Sequence, residues 1–136
     1  MIGMNLQTKW NSLPDQQQVW LAKFPFEEDP QKFKTRPVIV LSKAYDKLEV
    51  CDLEDMQYIA TKITSHNKRS YDNYDTIIVK WKEANLDRES VARVSKTILL
   101  PRKQFVKFIG IANEEDFANI LETYFEYKSN TIPSLK

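Results

Sequence analysis

Two glycines, one cysteine and one histidine are all that the 136 residues contain of those three types. The glycines, Gly3 and Gly110, exclude P-loops and dinucleotide-binding turns, which need several glycines for the backbone to approach a phosphate. The lone Cys51 closes no internal disulfide, so a secreted disulfide scaffold is excluded and a reducing compartment fits. One cysteine and His66, without ligand spacing, exclude zinc fingers and most zinc enzymes, so neither a metal nor a cofactor is expected. An excess of one charge is also missing: 20 Lys+Arg face 19 Asp+Glu, a net charge of +1, and any basic site must be local. Apolar runs such as Val38–Leu41 are far too short to cross a bilayer, so no membrane partner is expected. Met1 to Gln18 has no basic n-region and no apolar h-region, and does not read as a signal peptide. The expected location is the cytoplasm.

What is present suits one packed domain. Hydrophobic residues make up 42% and aromatics 12%, which excludes a disordered chain. Residues 1–17 read as a polar N-terminal arm, 18–127 as the domain, and 128–136 as a flexible tail. Val19–Phe24, β-branched and aromatic, predicts a strand that Pro25 ends. A charged loop, Pro25–Thr35, leads to Arg36–Ser42, whose continuous apolar run predicts a strand buried on both faces. Leu48–Leu53 predicts a weaker strand; Met56–Ile63, Thr76–Trp81 and Ser90–Leu100 predict three more. Gln104–Ile109 reads as a short helix stopped by Gly110. Glu114–Tyr127 is the strong helix, with Asn113 as its N-cap and three acids on its first turn. Its stripe of Phe117, Ile120, Leu121, Tyr124 and Phe125 predicts core packing. The class is therefore mainly β with a C-terminal helix, and strands this short favour a small curled sheet or barrel.

Three features carry candidate chemistry. Arg36 stands between a loop and a buried strand, where a guanidinium on rigid backbone forks two hydrogen bonds to a phosphate, or else pairs with Glu27, Glu28 or Asp29. Lys62, Thr64, Ser65, His66, Lys68 and Arg69 place cations, hydroxyls and the only imidazole at the exit of one strand. Tyr71 and Tyr74, in the polar loop beside those cations, suit stacking on single-stranded bases, while Trp81 alternates along a strand and reads as structural. Cys51 reads as an inert thiol, and Glu114 and Glu115 are accounted for by the helix start.

The blocks VWLAKFPF (Val19–Phe26), RPVIVLS (Arg36–Ser42), IATKITS (Ile59–Ser65), TIIV (Thr76–Val79), NLDRESVARVSKTILLP (Asn85–Pro101) and FIGIANEEDFANILETYF (Phe108–Phe125) stand in a familiar order. In that order and spacing the chain resembles the MazF/PemK toxin family. The resemblance implies a small SH3-like barrel of the MazF/PemK/CcdB type, acting as a homodimer and restrained by a cognate antitoxin. It implies a metal-independent endoribonuclease that cuts single-stranded RNA to 2′,3′-cyclic phosphate and 5′-OH ends. The family's catalytic arginine falls on Arg36 and its catalytic threonine on Thr64, with Ser65 and His66 as assisting groups. Lys62, Lys68, Arg69, Tyr71 and Tyr74 are the candidates for binding RNA. Two other readings stay open: a non-catalytic nucleic-acid or protein-binding module of the same fold, and a gyrase-directed toxin.

Overall fold

The computed structural model describes residues 13–44, 52–66 and 72–131. Six strands come first: β1 (Gln18–Pro25), β2 (Phe33–Lys43), β3 (Gln57–Ser65), β4 (Asp75–Ile78), β5 (Ser90–Pro101) and β6 (Phe105–Ile111). One helix, α1 (Glu114–Thr131), follows, and short 3-10 turns occupy Leu53–Asp55 and Arg102–Gln104. The strands form one antiparallel sheet in the order β4-β5-β3-β2-β1-β6. The sheet curls, but its edge strands β4 and β6 do not pair, so the expected barrel is left open.

Both faces of this sheet are buried, which is why β2 carries four apolar residues in a row. Val38 and Val40 join Trp20, Ala22, Tyr58, Ala60, Leu100 and Phe105 in one core, inside the curl. There Trp20 meets Phe105 and Phe108 edge-on, each at 5.8 Å. Ile39 and Leu41 join Val19, Ile63, Ala92 and Val94 in the other, which Phe117 and Ile120 of α1 cover. A bulge in β5 serves both cores. Thr61 pairs with Thr97, yet the next residue, Lys62, pairs with Arg93. The residues between add an odd number to one strand, so its inward positions change face. Ala92 and Val94 point to the helix-covered core, whereas Ile98 and Leu100 point into the curl.

The structure corrects several sequence expectations. Gln104–Ile109 is not helical: Phe105–Ile111 is the edge strand β6, paired to β1 through Val19↔Gly110 and Trp20↔Phe108. Gly110 is therefore not a helix stop. It lets β6 approach the β4–β5 connection so closely that an added Cβ would lie 2.7 Å from the Ala84 carbonyl oxygen. The strand expected over Thr76–Trp81 ends at Ile78. Buried Asp116 takes the next two amides, accepting from Val79 N at 3.1 Å and Lys80 N at 2.7 Å. Helix α1 begins as expected, with Asn113 Oδ1 accepting from Glu115 N at 2.9 Å, but it runs on to Thr131, into the expected tail. Phe125, expected in the core, is 63% exposed. Of the expected arm, Leu13 packs on the curl core and Gln17 N donates to Val40 O. Most of the Leu48–Leu53 expectation, and Cys51, lie outside the described residues; Leu53 itself opens a 3-10 turn.

One buried ion pair ties β4 to β5. Arg93 Nε donates to Asp75 Oδ1 at 2.7 Å, with side chains 8% and 2% exposed, and Asp72 adds a second carboxylate at 3.7 Å. Burial pushes the Asp72 carboxyl up, but hydrogen bonds from Ser95 Oγ and the Tyr74 amide, with the Arg93 charge, outweigh it and hold the group below its ordinary 3.8.

Two predictions follow from these contacts. Gly110→Ala forces the Ala84 carbonyl away and is expected to cost roughly 1–3 kcal/mol, read by urea unfolding. An unchanged midpoint would contradict the close approach. A depressed folded-state pKa means that the unfolded chain binds the Asp72 proton more readily. Its stabilisation is complete above the unfolded value near 3.8 and is lost as pH falls through the folded one. Asp72→Asn is expected to flatten the acid limb of the stability profile below about pH 4, and an unaltered limb would refute the assignment.

Candidate functional site

The ladder between β2 and β3 ends at Val38↔Lys62. The next residue of β2 is Pro37, which has no N–H to offer a partner strand. Beyond this point Phe33–Pro37 pairs only with β1, and Ile63–Ser65 only with β5. The two strands part, and a cleft of about 460 Å³ opens between them. Lys34, Thr35, Arg36 and Pro37 form one lip; Ile63, Thr64 and Ser65 form the other. The connection ahead of β5 closes the end with Leu86, Asp87, Arg88 and Ser90, and Leu21 adds apolar surface.

Each lip stands on paired backbone. Arg36 lies opposite Ala22, a buried residue of β1. Thr64 lies opposite Val91 and Ser65 opposite Ser90, both buried in β5. The closing segment is fixed by Ser90 Oγ donating to Arg88 O at 2.8 Å and His66 N donating to Glu89 O at 3.0 Å. Behind it, Asn85, at φ 61, donates from Nδ2 to Ile109 O at 3.0 Å, a left-handed position that asparagine tolerates.

Among the described residues, the lining holds three cations, Lys34, Arg36 and Arg88, against one carboxylate, Asp87, which accepts from Arg88 Nε at 3.3 Å. With the hydroxyls of Thr35, Thr64, Ser65 and Ser90 in the same walls, the cleft is built for an anion with several acceptor oxygens. A guanidinium on one side and a hydroxyl on the other suit a tetrahedral phosphate better than a planar carboxylate, which one fork satisfies.

The structure brings Arg36, Thr64 and Ser65 into this one cleft. His66 lines an adjoining hollow of about 240 Å³ with Trp81 and Glu89, and Ser90 borders both spaces. Lys62 lies two residues before Thr64, on the same face of β3 and opposite Val38. Tyr74 is committed elsewhere: it packs edge-on against Tyr127 at 5.0 Å, and its hydroxyl accepts from Asn130 Nδ2 at 3.2 Å. Trp81 packs against the helix-covered core. Lys68, Arg69 and Tyr71 lie outside the described residues. Sequence reasoning missed Lys34, Thr35, Asp87, Arg88 and Ser90 as parts of the site. Lys34 and Thr35 directly precede Arg36, a signal that was there to use; Asp87–Ser90 reach the cleft through tertiary folding alone.

Among the described residues, no group of three or more His, Cys, Asp and Glu is placed to hold a metal ion, and no helix is long and apolar enough to cross a membrane.

Comparison with known proteins bears on the whole domain. The family model described as PemK-like, MazF-like toxin of type II toxin-antitoxin system matches residues 15–124. None of the curated proteins matches the chain. Among solved structures, the fold is similar to MazF from Deinococcus radiodurans at a TM-score of 0.62 and 19% identity, covering 86% of this chain and 97% of that one. It is similar to a MazE-MazF complex of the same organism at a TM-score of 0.56 and 20% identity, covering 85% and 95%. An endoribonuclease in complex with its cognate antitoxin, from Mycobacterial species, gives a TM-score of 0.59 at 10% identity, covering 88% and 99%.

Proposed function

The chain belongs to the PemK-like, MazF-like toxins of type II toxin-antitoxin systems, and from that premise we propose that it is an endoribonuclease cutting single-stranded RNA in the cleft between β2 and β3. The observation that carries this reading is the convergence of Arg36 and Thr64, far apart in sequence, on opposite lips of one cationic cleft.

In this reading the ribose 2′-oxygen attacks the adjacent phosphorus. A 2′-O–P bond forms and the P–O5′ bond breaks, leaving a 2′,3′-cyclic phosphate and a 5′-OH. Charge gathers on the non-bridging oxygens, where the Arg36 guanidinium neutralises it. The Thr64 hydroxyl holds the phosphate in line, and Ser65 supports it from the next position. One proton leaves the 2′-OH and one reaches the departing 5′-oxygen. We assign His66 an assisting part in that exchange, approached past Ser90, which borders both hollows. The nucleophile belongs to the RNA, so this route needs no metal to generate one. DNA, without the 2′-OH, stays intact.

The open edges of β4 and β6, with Val106, Phe108 and Ile111 exposed on β6, favour a homodimer that covers them. A cognate antitoxin would restrain the enzyme in the cytoplasm, and the cationic cleft offers a docking point to anionic side chains of that antitoxin. The domain acting on RNA would run from Leu13, which packs on the curl core, to Thr131 at the end of α1.

Purified protein, incubated with a long single-stranded RNA in excess EDTA, is expected to produce cyclic phosphate ends. Arg36→Ala is expected to lower the rate about a hundredfold or more with unfolding unchanged, and Thr64→Val to weaken it. Cleavage by Arg36→Ala at the wild-type rate would remove Arg36 from the mechanism. No cleavage by folded wild type would favour a binding module or a gyrase-directed toxin.

A further inference from the structure

We propose that Lys62 and Lys96 form a second phosphate subsite beside the cleft, and that the Glu27 carboxylate occupies it until RNA arrives. This rests on the RNA-cleaving reading above and adds to it a binding position and a group that competes for it.

Lys62 shares a face of β3 with Thr64, so a strand of RNA held at Thr64 passes over it. Lys96 comes from the bulge of β5, the stretch left without a partner when the pairing jumps from Thr61↔Thr97 to Lys62↔Arg93. Lys96 and Lys62 both act on the same Glu27 carboxylate, which places the two ammonium groups around one point. Arg93, the third cation nearby, is already committed to Asp75 and Asp72.

Glu27 belongs to the loop between β1 and β2, whereas Lys96 belongs to β5, and β2 and β3 lie between. Glu27 Oε1 nevertheless sits 3.0 Å from Lys96 Nζ, so the loop reaches across to β5, and its carboxylate also feels the Lys62 charge. The loop is closed by Phe26 N donating to Lys32 O and Lys32 N donating to Asp29 O, both at 2.9 Å. The Lys96 hydrogen bond, against the opposing effect of burial and with the charges of Lys96, Lys62 and Arg93, holds the Glu27 carboxyl below its ordinary value. A phosphodiester carries the same single negative charge and the same kind of acceptor oxygens as that carboxylate. With side chains 59% and 33% exposed, the Glu27–Lys96 bridge is weak enough for RNA to displace.

The test is binding of a 2′-O-methyl RNA, which lacks the nucleophile, by fluorescence anisotropy across a salt series. Glu27→Gln is expected to tighten binding about twofold to fivefold. Lys96→Gln is expected to weaken it and to reduce the salt slope by about one. In the Lys96→Gln background, where only Lys62 remains to be released, Glu27→Gln is expected to tighten binding less than it does in the wild type. Glu28→Gln, in the same loop, controls for the loss of a charge anywhere nearby. Unchanged or weaker binding by Glu27→Gln, or equal tightening by Glu28→Gln, overturns the subsite even while the wild type cleaves RNA. Failure of every form to bind or cleave RNA overturns the underlying reading, and the subsite with it.

Discussion

A β-ladder continues only where each strand supplies its hydrogen-bonding groups, and at Pro37 β2 supplies no N–H. The pairing with β3 stops at Val38↔Lys62, beside that residue. On the closed side of the break the four apolar residues Val38–Leu41 are buried in two cores. On the open side, Arg36 and Thr64 end on separate lips, each braced by an outer strand. A site built this way is rigid without being filled. Its walls are paired backbone, and its opening is a place where two strands that are neighbours elsewhere have no bonds to make.

The third wall depends on contacts remote from the cleft. The segment carrying Asp87 and Arg88 follows a turn-rich connection pressed on β6 at Gly110 and fastened by Asn85. The start of that connection is bound to α1 through Asp116, whose helix is itself capped by Asn113. The C-terminal helix therefore does two things. It covers one core, and it positions the loop that closes the cationic cleft.

Much of this was legible in the residues. β-branched and aromatic runs marked β1, β2, β3 and β5, and the cap and acids marked α1. The RP and ITS blocks marked both lips. What escaped was decided by tertiary pairing. β6 carries Phe105, Phe108 and Ile109 at helix-like spacing, and only its pairing with β1 makes it a strand. The end of β4 is set by the Asp116 carboxylate, which lies far along the chain. Tyr74 has the chemistry of a stacking residue, yet Tyr127 and Asn130 claim it for the helix. Arg88 and Ser90 are unremarkable neighbours in sequence and become part of the site only when β5 pairs with β3.

The central claim is that Arg36 and Thr64 act on the same phosphate across the break in the sheet. A crystal structure of the chain with a 2′-O-methyl RNA tests it most directly. The account predicts one phosphate seated between the Arg36 guanidinium and the Thr64 hydroxyl. RNA bound on another surface, with the cleft between β2 and β3 left empty, would contradict it.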